Sequence, residues 1–79
     1  MSSEEKKRKV VLAQIEAAGE KGCALSEIVA AFNEWVANNP DGGLEPAAQG
    51  EIDPIISQLE EEGITFTAED GTVHLVEQQ

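Results

Sequence analysis

Near the end of the chain, Asp70-Gly71 sits between two short runs, 64–68 and 72–76, in which apolar and polar residues alternate. Asp-Gly is a favoured pair for a two-residue type I′ loop, and alternation with a period of two is the signature of a half-buried strand. The sequence therefore predicts a β-hairpin over about 64–76. With Asp70 and Gly71 as the loop, Glu69 faces Thr72, Ala68 faces Val73, Thr67 faces His74 and Phe66 faces Leu75. Ile64, Phe66, Ala68, Val73 and Leu75 then share one side of the ribbon and Thr65, Thr67 and His74 the other. A lone hairpin is not stable in water, so the remaining residues must cover its apolar side.

They read as helices. Ser2-Ser3-Glu4-Glu5 has the form of a capping box with Ser2 at the N-cap. Val11, Ile15 and Ala18 recur at helical spacing, with Leu12 beside them, and Glu4–Arg8 and Glu5–Lys9 are i,i+4 pairs with Glu leading. Gly19 and Gly22 offer places to stop, giving a first helix over about 4–19. Ser26 reads as the N-cap of a second helix over about 26–38, with Leu25, Ile28, Val29, Phe32, Trp35 and Val36 forming its apolar stripe. Asn38 to Gly43 ends it, because Pro, Gly and Asn supply turn backbones. A long connection, 38–53, follows; within it 44–50 is compatible with a loop or with a short helix opening at Pro46. Asp53 before Pro54 has the form of an N-cap with Pro at the first helical position. Ile55, Ile56 and Leu59 supply the apolar side, Ile52 stands just before them, and Gly63 is the stop, so the third helix is expected at about 54–62. The whole of 1–79 is one domain of α+β class, with three α-helices followed by a C-terminal β-hairpin.

Charge is segregated along this chain. All five basic residues lie in the first 21 positions, as Lys6, Lys7, Arg8, Lys9 and Lys21, and the formal net charge is -11. From Gly22 onward there are twelve acids and no Lys or Arg. Proteins grip nucleic acid largely by replacing its counterions with Lys and Arg, so 22–79 is unsuited to holding phosphate. Solubility alone favours acidic surfaces. Adaptation to high salt is poorly supported by thirteen Glu against three Asp. A functional anionic face is the third source of such a bias.

The run from Ile15 to Gly22, the following Leu25-Ser26-Glu27-Ile28-Val29-Ala30-Ala31-Phe32, and Ile55 to Ile64 together resemble the three helices and the Gly turn of the winged helix-turn-helix superfamily. The resemblance implies DNA binding, with the third helix in the major groove and the hairpin as the wing. The chain departs from that pattern in its long connection between the second and third helices. It also carries acids where DNA readers place Arg, Lys or polar base-readers.

The candidate sites follow from this conflict. Glu51, Asp53, Glu60, Glu61 and Glu62, with Glu69 and Asp70 of the wing, form an acidic face suited to a partner protein with a basic surface, in the manner of an inhibitor that mimics DNA. Three acids in a last helical turn oppose the helix dipole, which hints at a use for them. Trp35 is either core or an interface anchor. Lys6, Lys7, Arg8 and Lys9 are the nucleic-acid contact in the alternative reading of a DNA-binding regulator, although four successive residues wrap around a helix. His74 stands without a second His or a Cys to join it, and Cys23 reads as a small core residue. One Cys and one His exclude a zinc site of the usual Cys/His kind. No catalytic constellation or phosphate-cradling loop is present, so neither enzymatic activity nor a cofactor is expected. No apolar run approaches about 20 residues and no secretory h-region opens the chain, which makes a cytoplasmic protein off the membrane the expectation. A homodimer pairing through the second helix is a further possibility.

Overall fold

Three helices precede a C-terminal hairpin, and one short strand stands between the first two helices. The computed structural model describes residues 3–76, so the Ser2 cap lies outside the described residues. Helix α1 is Ser3–Ala18, α2 is Leu25–Asn38 and α3 is Gln49–Glu61, with 3₁₀ turns at Gly19–Lys21 and Pro40–Gly42. The strands are β1 (Cys23–Ala24), β2 (Thr65–Thr67) and β3 (Thr72–Leu75), in the antiparallel order β1-β3-β2. This is an α+β domain of three helices closed by a C-terminal hairpin. β1, two residues long, turns the hairpin into a three-stranded sheet.

The core is built from the stripes that periodicity marks out. Val11 and Ile15 of α1, Ile28 and Phe32 of α2, and Ile52 and Leu59 of α3 are almost wholly removed from water. Burial of such side chains is the main favourable term in folding. Val73 of β3 and Cys23 of β1 close the core from the sheet side.

Two helix starts differ from the sequence reading. Ser26 is not the N-cap of α2. The helix begins at Leu25, and the Glu27 carboxylate reaches back to accept the Ala24 backbone N–H at 3.1 Å. An alanine has no oxygen to complete a capping box, so Glu27 alone performs this cap. Likewise Asp53 is not the cap of α3, which opens at Gln49 and carries Pro54 in its interior. The cause is tertiary. Asn33 of α2 donates its Nδ2 to the Ala47 carbonyl at 3.0 Å and accepts the Ala47 N–H at 2.8 Å. That clamp draws Ala47 into the core, and a helix starting two residues later turns Ile52 inward as well. Residues 44–48 are thus neither a short helix nor part of α3, and the irregular connection is shorter than the sequence suggested. The end of α3 follows expectation. Gly63, at φ 76°, donates to the Glu60 carbonyl while Ile64 donates to that of Leu59, the paired bonds of a Schellman stop.

The hairpin forms where the sequence places it, but in another register. Thr65 pairs with Leu75, Phe66 with His74 and Thr67 with Val73. Gly71 donates to the Ala68 carbonyl at 2.9 Å and has φ 87°, so the loop is Glu69-Asp70-Gly71, with Gly71 in the left-handed position that follows a three-residue turn. The Asp70 carboxylate accepts the Thr72 N–H and hydroxyl, at 3.1 and 2.6 Å, and holds the turn in this form. One extra loop residue reverses β2 relative to β3. Thr65 therefore takes the core position expected for Phe66 and is 2% exposed, whereas Phe66 is 47% exposed on the outer side. The Thr65 hydroxyl has no hydrogen-bond partner, an arrangement that generally costs about 1–3 kcal/mol.

Candidate functional site

Helix α3 turns its four buried residues, Ile52, Ile55, Ile56 and Leu59, to one side and its acids elsewhere. Seven residues make about two helical turns and eleven about three. Asp53 and Glu60 therefore share one flank, Glu51 and Glu62 share the opposite flank, and Glu61 projects away from the core. Glu60 Oε1 accepts the Thr67 hydroxyl, so the first flank adjoins the wing. The second adjoins α1. Both oxygens of Glu62 bond the two terminal nitrogens of Arg8, with Arg8 Nη1 to Oε2 at 2.8 Å. Glu51 lines an open hollow together with Ser3, Lys7 and 43–46. The five acids expected to act as one face are thus divided between two flanks and the outward side of α3, and Glu62 is already matched by a cation. Its bonds from Arg8 hold its carboxyl below the usual range.

The basic run is dispersed in the same way. Arg8 was expected to pair with Glu4 along α1 and instead crosses to Glu62. Lys6 reaches towards Gly43 and Lys7 lines the hollow that holds Glu51. Lys9 is exposed. The four cations follow the sides of the helix, so they form no single cationic stripe.

The hairpin carries a connected chain of polar side chains, Asp70, Thr72 and His74. Thr72 gives its one hydroxyl proton to Asp70 Oδ1, which leaves Thr72 Oγ1 to accept from His74 Nε2 at 2.7 Å. The side-chain and backbone bonds from Thr72 hold the Asp70 carboxyl below its ordinary range. His74 lies opposite Phe66, not Thr67, and the two rings stack with centroids 5.2 Å apart and planes 17° apart. On its other side is Gly22, at φ 72°, where an added Cβ would come within 2.4–2.7 Å of three atoms of the imidazole. Gly22, just before β1, His74 of β3 and Phe66 of β2 consequently form a row across the sheet, and only glycine leaves room for the ring. Glu20, Gly19 and Leu75 border the open hollow beside Phe66 and His74.

Trp35 is partly buried against the core, and an added Cβ on Gly42 would lie 3.0 Å from its Cη2. The 3₁₀ turn at Pro40–Gly42 therefore packs close on the indole, and Asn39 Nδ2 bonds the Trp35 carbonyl at 2.7 Å. Cys23 is buried, and burial pushes its thiol upward, helped by the charge of Glu27. Among the described residues, no group of three or more His, Cys, Asp or Glu side chains is placed to hold a metal ion. No helix there is long and apolar enough to cross a membrane.

Sequence reasoning named Glu69 and Asp70 as acids but missed Phe66, Thr72, His74 and Gly22 as one assembly. The glycine at 22 and the Asp-x-Thr-x-His spacing, from the loop into β3, were the available signals. Comparison with protein-family models, curated proteins and solved structures gives no match, so the site has to be read from its own chemistry.

Proposed function

We propose that the protein is a non-catalytic interaction module of the cytoplasm that docks an acidic surface on a basic partner protein. The docking surface is the hairpin-side flank and outward side of α3 with the hairpin turn: Asp53, Glu60, Glu61, Glu69 and Asp70. Glu51 and Glu62 are left out, because they face the cations of α1. The observation that carries the reading is the exposure of all five acids on a stretch of chain that holds no Lys or Arg. Such a surface repels nucleic acid and attracts the kind of protein surface that binds it. A partner that normally holds DNA or RNA fits this chemistry, and in that case the module acts as a mimic of the polyanion.

The test is affinity for a partner captured from the native host, measured against ionic strength. Affinity is expected to fall with added salt and to fall again when Asp53, Glu60 and Glu61 are changed to their amides. Binding indifferent to both rejects the proposal. So does duplex DNA binding at low salt that weakens when Lys6, Lys7, Arg8 and Lys9 are replaced by Ala.

A further inference from the structure

We infer that the outer face of the wing is a binding platform for an arginine side chain of a basic partner, formed by Phe66 and His74 with Glu20 at its border. The inference rests on the proposed docking to a basic protein and adds the residue type that the surface selects. It starts from the register of the hairpin. The three-residue loop exposes an aromatic ring and buries an unpartnered hydroxyl at Thr65, against the preference of both side chains. Positions that break local rules in this way are where function is to be sought.

What the register produces is an exposed aromatic stack. Phe66 lies against His74 with the ring planes 17° apart and stays 47% exposed, and Gly22 lets the imidazole sit flush against the neighbouring backbone. The Asp70–Thr72–His74 chain of bonds fixes the ring further. Glu20, an exposed acid, borders the open hollow beside this stack. Lys21, its neighbour, does not line this hollow; it lines a second one that Glu20 also borders, with Cys23 and Glu27.

A guanidinium matches these features together. It is planar, weakly hydrated, stacks on aromatic faces and takes a carboxylate at its edge, whereas an ammonium is compact and strongly hydrated. A second copy of this chain is a poor occupant, since each copy has a net charge of -11. An entirely apolar partner would leave Glu20 facing a surface that offers it nothing.

The experiment compares an oligoarginine and an oligolysine peptide of equal length, titrated into the whole chain and followed by amide chemical shifts. The arginine peptide is expected to bind about two- to fivefold more tightly, the range of a partly exposed cation–π contact. Phe66→Leu keeps an apolar side chain at an exposed position and should remove that preference while leaving oligolysine binding unchanged. Glu20→Gln should reduce it. Equal affinity of the two peptides for the native chain, or a preference that survives Phe66→Leu, overturns the arginine platform while leaving the acidic docking surface standing. Failure of both peptides to bind at low salt overturns both.

Discussion

The chain has two phenylalanines, and they lie in opposite circumstances. Phe32, on the inner side of α2, has no exposed surface, and its neighbours Ile28 and Val36 lie on the same buried side. Phe66, on β2, leaves nearly half its surface in water beside His74. In the helical part the apolar stripes enter the core or pack against it. In the wing, one extra loop residue sends a ring outward and a threonine inward. The helices supply most of the core, and the hairpin leaves a ring in water and a buried hydroxyl unpartnered.

The sharpest way to break this contrast is Phe32→Ala. It should cost about 3–5 kcal/mol by removing a fully buried ring, a large part of what a domain of this size can hold. Urea unfolding followed by circular dichroism measures it, and a loss below about 1 kcal/mol would show that the helical core is not where stability resides. Next in size is Gly22→Ala, expected to cost about 2 kcal/mol, because the backbone there is costly for other residues and the new Cβ would displace His74. A matching change in the His74 ring resonances should accompany the loss of thermal stability.

Thr65→Val has the opposite sign. It replaces the orphaned hydroxyl with a methyl group of similar shape and should stabilise the domain by about 1 kcal/mol, read as a rise in denaturation midpoint. No gain would mean that the wing is not strained as described. The smallest effect is that of acid. The carboxyls of Glu62 and Asp70 are both held below their ordinary values by hydrogen bonds. Their contributions are therefore present at neutral pH and are lost as pH falls below about 4, through their folded-state values. Both groups are exposed, so this limb should be shallow. Glu62→Gln should flatten it further, and an unchanged acid limb in that variant would remove the Arg8–Glu62 pair from the account.

Much of the helical architecture was legible because its cause is local. A period near 3.6 in Val11, Ile15, Ile28, Phe32, Ile55 and Leu59 already says which sides are buried. Gly63 announced the end of α3 because a left-handed backbone favours it. The start of α3 was not legible, since the Asp53-Pro54 signal was overruled by Asn33, a residue on another helix that clamps the Ala47 backbone. The acidic site was legible as composition and not as geometry. Helical spacing divides Glu51 and Glu62 from Asp53 and Glu60, but only the approach of α1 shows that Arg8 takes Glu62.

The sequence by itself determined that three amphipathic helices precede a hairpin, and that nearly all of the chain past its first quarter carries negative charge alone. These are properties of neighbouring residues and of composition, which need no distant partner to be expressed. Tertiary structure decided the register of the wing. Asp70-Gly71 suits a loop of two residues or of three, and the two choices differ only in which face of β2 meets the core. That choice belongs to the assembled sheet, and it determines whether Phe66 enters the core or faces solvent.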